Sequence, residues 1–292
     1  MTGAHSKHRG RRSAITARMT RLLAAIALGV LAGCPHGGDV PTGPRESAAD
    51  VVTKLGAARD ARTGFVGESV MDYWLGKDRV KTSVLVMGQT GAKVRFNGLS
   101  PAGGEVLVDL ACDGSGFKLL DKQHNCELLG PCDRQTIAEL LHIELAPDDF
   151  LHLALGTPPM MTNPTGKVTW DADKGLERVE LTAAEGTQKL AIDTRDGHWD
   201  VVSSELVGPD GKTVWAVENA DFHEVDDDAT HGKQRVPGRS RFKSPREQAD
   251  VLVEWKELKV NPTIDAAKFS LELPAGLPAC HGTMPGPGTT TP

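Results

Sequence analysis

The tetrapeptide Leu31-Ala32-Gly33-Cys34 puts one thiol directly behind two small residues and an apolar run that begins at Leu22. Upstream stand Lys7, Arg9, Arg11, Arg12, Arg18 and Arg21, with no acidic residue among them. This order of basic, apolar and small regions reads as a bacterial lipoprotein signal. Its chemistry is acyl attachment. Cys34 receives a diacylglyceryl group, a peptidase that needs a narrow backbone cuts before it, and Cys34 becomes the first residue. The apolar run is shorter than the roughly 20 residues a bilayer span requires. One acyl chain binds a membrane only reversibly, whereas two or more anchor stably. The chain is therefore expected to be anchored to a membrane and not to cross it.

Cys112, Cys126, Cys132 and Cys280 remain, and a cell-envelope location permits disulfides. Between Cys126 and Cys132 lies Glu-Leu-Leu-Gly-Pro, in which Gly130 and Pro131 are expected to turn the chain back and close a Cys126–Cys132 bridge. Cys112 and Cys280 are left open between a second bridge and two buried thiols. No CxxC and no paired-histidine motif accompanies them, so no metal site is expected. Other motifs dissolve on inspection. The Gly211-Lys212-Thr213 run lacks the upstream glycine of a phosphate loop, since Leu206 stands there. Asp171 and Asp173 have calcium-loop spacing only at its start. Ser100 precedes a proline and sits on no strand-to-helix turn. No catalytic constellation and no cofactor site is expected.

The leader carries six basic residues and no acid, so the net charge of −6 for the whole chain becomes −12 without residues 1–33. That balance excludes nucleic acid as a partner, because phosphate binding relies on clustered Lys and Arg. Residues 34–45, rich in Gly and Pro, read as a flexible tether, and residues 278–292 as a disordered tail. One folded domain is expected over residues 46–277.

Within it, Glu46 to Arg62 reads as a helix capped by Ser47. Short alternating runs follow, five from Phe65 to Leu120 and seven from Lys167 to Leu258. Asp171-Ala172-Asp173-Lys174-Gly175 and Pro209-Asp210-Gly211 have the chemistry of hairpin turns. The pattern predicts a mainly β, antiparallel meander. Two short amphipathic helices interrupt it, one capped by Asp133, the other opened by Pro147 and closed at Gly156. Trp74, Trp170, Trp199, Trp215 and Trp255 fall in or beside the predicted strands. With Phe96 they are candidates to line an apolar cavity under the helices, against the plainer reading that they pack a core.

Three stretches together resemble the outer-membrane lipoprotein-sorting family of LolA-type periplasmic carriers and LolB-type receptors. Leu110-Ala111-Cys112-Asp113-Gly114 with Phe117 to Asp121 is similar to its strand, Asp-Gly turn and strand. Ile137 through Pro147 to Gly156 resembles its helix, proline and helix lid. Asn261 through Phe269 to Gly276 resembles the carrier's terminal strand. The resemblance implies a single curved antiparallel sheet, an unclosed β-barrel of about eleven strands lidded by short helices, with an apolar cavity for acyl chains. A lipidated Cys34 matches the receptor branch. The receptor's protruding loop carries an apolar residue, for which Asn97-Gly98-Leu99 offers Leu99 as a membrane wedge. The carrier's lid-holding arginine falls near Met87 or Gly88, which is a departure.

The expectation is an outer-membrane-anchored, periplasm-facing, non-enzymatic acceptor of acyl lipid or lipoprotein cargo, served by a periplasmic carrier protein. The alternative is a structural or signalling envelope lipoprotein that binds a protein partner.

Overall fold

The computed structural model describes residues 46–101 and 104–280. Cys34, the leader, the tether and residues 281–292 lie outside them. The first element is α1 (Ala48–Asp60). The Ser47 side chain accepts from the Asp50 N–H, and the Asp50 carboxylate accepts from the Ser47 N–H, which satisfies two otherwise orphaned donors.

Six strands follow as one meander: β1 (Gly64–Leu75), β2 (Asp78–Gln89), β3 (Lys93–Leu99), β4 (Val106–Asp113), β5 (Gly116–Asp121) and β6 (Cys126–Pro131). Then come α2 (Arg134–Leu141) and α3 (Pro147–Ala154). A second meander comprises β7 (Thr165–Asp171), β8 (Leu176–Ala183), β9 (Gly186–Asp193), β10 (Asp200–Val207), β11 (Thr213–Asp227), β12 (Gly232–Ser244) and β13 (Ala249–Val260). β1 pairs with β13, so both meanders join into one thirteen-stranded sheet in the order β6-β5-β4-β3-β2-β1-β13-β12-β11-β10-β9-β8-β7. Neighbouring strands are antiparallel and the sheet is unclosed, as the sequence implied. The thirteen strands among the described residues exceed the expected number of about eleven, and β6 is the strand that no alternating run announced.

β6 and β7 are consecutive in the chain yet form opposite edges of the sheet. The connection between them must therefore cross the sheet, and that crossing carries α2 and α3 over its inner face. Both helices begin as their sequences dictate. Asp133 accepts from the Thr136 N–H, and Pro147 occupies the first turn of α3, where no N–H is needed.

The inner face is covered in two parts. Under α1, Val51 and Leu55 pack with Val179, Leu181, Leu190 and Ile192 of β8 and β9 into a filled core. Under α3, Leu153 packs with Trp215, Val217 and Phe242, while Leu151 and Leu155 pack with Phe65, Val236 and Val260.

The segment after β13 is not the terminal strand that the resemblance implied. Asn261 turns the chain at φ 54° and holds the turn with its side-chain oxygen on the Thr63 N–H and its amide on the Ala61 carbonyl. The chain then crosses the outer face. Leu271 packs with Ala111 and Leu120, and Arg95 and Lys118 donate to the carbonyls of Ser270 and Leu271. It ends as a short parallel bridge, Glu127 to Ala279, so the fold runs to Cys280 and not to residue 277.

The disulfides correct the expected Cys126–Cys132 bridge. Cys112 bonds to Cys132 and Cys126 to Cys280, with Cα separations of 5.8 and 5.0 Å. The residues read as a turn are strand β6, paired with β5 along its whole length. An extended strand rises about 3.3 Å per residue, so its two ends lie far beyond the roughly 7 Å that a disulfide tolerates.

Leu99 is also corrected. It does not project from a loop but ends β3 opposite Val106, is 9% exposed, and lends its carbonyl to the Thr82 hydroxyl at 2.6 Å. A Leu99→Glu substitution is expected to destabilise the protein by about 2 kcal/mol or more, because it buries a carboxylate without a partner. Urea denaturation checks this, and an unchanged midpoint would restore the wedge.

Candidate functional site

Period-two alternation decides what faces the space between sheet and lid. On β2, Val80, Thr82, Val84 and Val86 point inward, and Lys81, Ser83 and Leu85 point the other way. On β1 the inward set is Ser69, Met71 and Tyr73, on β13 it is Val251, Val253 and Trp255, and on β3 it includes Val94 and Phe96. Phe150, Leu151 and Ala154 of α3 and Ile137 of α2 close the space from above. The result is an apolar chamber of about 280 Å³. Burial pushes the Tyr73 phenol up to about 12, so its ring faces the chamber uncharged.

Of the candidate lining residues, the structure brings two to the chamber, Phe96 and Trp255. The Trp255 ring meets Phe65 edge-on at 5.6 Å, and its Nε1 donates to the Ala154 carbonyl at 3.2 Å, tying sheet to lid. Gly67 makes room for it, since a Cβ there would lie 2.7 Å from the indole. Trp74 is one position out of phase with Tyr73 and sits on the outer face under the Arg79 and Arg241 guanidiniums. Trp199 packs on the α1 core beneath Lys54. Trp215 is buried in the core beside Phe242, with ring centroids 6.5 Å apart, and Trp170 lies on edge strand β7.

The lid is held at both ends. Asp148 accepts from the Gly91 and Ala92 N–H groups in the β2–β3 turn, and Asp149 pairs with Arg59 of α1 at 2.7 Å. Past α3, Arg62 donates to the Leu155 carbonyl, the Thr157 hydroxyl and the Arg235 carbonyl, each at 2.8 Å. Burial pulls the Arg62 guanidinium below its usual range, against the opposing pull of Asp200. The Cys112–Cys132 bond fixes the entry to α2 on β4, and both cysteines line the chamber. None of these attachments was singled out from sequence, because each joins residues whose proximity only the crossing connection creates.

Buried His152 sits on α3 among these charges. Burial first, then the Arg59 cation, lowers its imidazole to about 4, against the upward pull of Asp148 and Asp149. The ring is neutral in the folded state near pH 7. Because the unfolded chain titrates near 6.5, it binds the extra proton first as pH falls. Stability is therefore present above pH 6.5 and is lost as pH drops toward 4, by about 3 kcal/mol. Urea midpoints between pH 4 and 7 are expected to fall in the wild type and flatten in His152→Gln. The Asp113 carboxyl acts below that window, since the Gly116 and Ser115 N–H groups hold it at about 2.

No protein-family model matches the sequence, and no curated protein matches it. Solved structures match its shape. A putative outer membrane lipoprotein-sorting protein domain from Vibrio parahaemolyticus superposes with a TM-score of 0.51 at 7% identity, covering 76% of this chain and 95% of that one. The chain shares the fold of that domain. A LolA superfamily protein from Nitrosomonas europaea gives a TM-score of 0.49 at 10% identity, covering 78% of this chain and 99% of that one. A DUF1329 family protein from Desulfovibrio piger gives 0.49 at 12%, covering 76% and 95%. The fold assignment rests on the first of these. Among the described residues no group of three or more His, Cys, Asp or Glu is placed to hold a metal ion, and no helix is long and apolar enough to cross a membrane.

Proposed function

We propose that this chain is a cell-envelope lipoprotein, anchored through Cys34 to the outer membrane and facing the periplasm, which takes acyl chains of a lipid or lipoprotein into the chamber beneath α2 and α3. The carrying observation is the chamber itself: an almost wholly apolar space that the fold keeps under a lid instead of filling with side chains, as it does under α1. In this reading no covalent chemistry and no cofactor takes part. Each methylene moved from water to the chamber contributes about 0.8 kcal/mol, and small differences in fit between two cavities set the direction of transfer from a periplasmic carrier. At about 280 Å³ the chamber lies just below the usual small-molecule range of about 300–1,000 Å³, so cargo with more than one chain displaces the lid. Residues 34–45 act as the tether and residues 46–280 as the binding domain.

The test is native mass spectrometry of the full chain, extracted in detergent, stripped of lipid and mixed with palmitoyl glycerol. A one-to-one adduct that survives dilution is expected. Its absence at saturating lipid would overturn the reading and leave a protein whose business is with a partner's surface.

A further inference from the structure

Among the apolar side chains of the chamber, two hydroxyls have no use in the fold. Ser69 on β1 is 1% exposed and Ser240 on β12 is 8% exposed. Both line the chamber, and neither Oγ has a hydrogen-bond partner among the described residues. Thr82, on the same face, shows the ordinary outcome, its hydroxyl donating to the Leu99 carbonyl. Buried polar groups are almost always paired, and an orphan costs stability that an alanine would not.

Register places the two serines. Ser69 lies opposite Trp255 and Ser240 opposite Val253, so they flank β13 from either side, two residues out of step. Strand spacing and rise put them about 12 Å apart. Each Oγ is sealed from solvent and has no bond to break, so a single χ1 rotation between staggered rotamers is all that a carbonyl in the chamber would ask of it.

We infer that Ser69 and Ser240 are hydrogen-bond donors to the carbonyl of an ester- or amide-linked acyl chain, so that the chamber admits cargo as far as its acyl linkage and not the hydrocarbon tail alone. The inference rests on the acyl-binding reading and narrows it to a ligand class. A bare hydrocarbon leaves both hydroxyls unpaired, whereas a carbonyl oxygen satisfies one directly, and the two stations accommodate linkages at two depths.

The experiment compares 1-palmitoylglycerol with 1-O-hexadecylglycerol, which keeps the sixteen-carbon chain and the headgroup but lacks the carbonyl. Affinities are measured on full-length wild type and on the Ser69→Ala/Ser240→Ala double variant. The wild type is expected to prefer the ester about fivefold, the scale of one net hydrogen bond. In the double variant the preference is expected to vanish while the ether lipid binds as well or better. Unfolding midpoints no lower than wild type show that the variant is folded. Equal binding of ester and ether by the wild type, or a preference that survives in the double variant, overturns the serine assignment and leaves acyl binding standing. Failure of both lipids to bind the wild type overturns acyl binding and this inference with it.

Discussion

Replacing Cys126 and Cys280 together by serine is expected to lower the unfolding free energy by about 3–5 kcal/mol, the entropic limit for a bond closing so long a loop being about 5 kcal/mol. The bond spans 154 residues of chain and fastens the end of the folded segment to edge strand β6. Its loss also frees the crossing segment. Around the bond, the Glu127 N–H donates to the Pro278 carbonyl and the Cys280 N–H to the Glu127 carbonyl, each at 2.9 Å, and without the bond nothing covalent keeps these in register. Leu271, Leu273 and Leu277, which cover the outer side of Ala111 and Leu120, then loosen. Removing Cys112 and Cys132, whose loop spans 20 residues, costs about 3 kcal/mol in the same model. Urea denaturation of both variants, with reduced wild type as reference, checks the order. A loss below about 1 kcal/mol for the first pair would show that the unfolded chain is already held together by other means.

Local chemistry was legible in the sequence, and spatial register was not. Ser47 and Asp133 act at helix starts through bonds to residues three positions away, and Pro147 through its own fixed φ and missing N–H, so all three could be read directly. The turns at Asp171 to Gly175 and at Pro209 to Gly211 were read for the same reason: Gly175 donates to the Asp171 carbonyl and Gly211 to that of Gly208. Cys126 to Pro131 was misread because Gly-Pro usually turns a chain. Here Pro131 stands at the end of an edge strand, where its missing N–H costs nothing. Leu99 was misread because Ser100-Pro101 announces a loop without saying on which residue the strand stops. The tryptophans show the same limit from the other side. Alternation is visible in β1, but whether Tyr73 or Trp74 faces inward depends on where the lid lies, and the lid is placed by a connection between two strands at opposite ends of the sheet. The Ser69 and Ser240 hydroxyls had no signal at all, being ordinary serines until the register set them on the chamber wall.

Filling the chamber should separate binding from folding. Val253 sits mid-strand on β13, opposite Met71 on one side and Ser240 on the other, with its side chain in the chamber. A tryptophan there would drive about 1–3 kcal/mol of strain into a close-packed core. In the chamber the added indole finds room under Phe150 and Leu151 and recovers part of that cost by burying its own apolar surface. Val253→Trp is therefore expected to keep the unfolding free energy within about 1 kcal/mol of wild type while weakening palmitoyl glycerol at least tenfold, the equivalent of about 1.4 kcal/mol. Val179→Trp supplies the contrast. Its side chain is 2% exposed in the filled core under α1, so the same change there should cost stability and spare ligand affinity in whatever fraction folds. Fluorescence titration and urea curves on the two variants give both quantities. If Val253→Trp destabilises as much as Val179→Trp, the space under α3 is as tightly packed as the space under α1, and the chamber is not one that cargo enters.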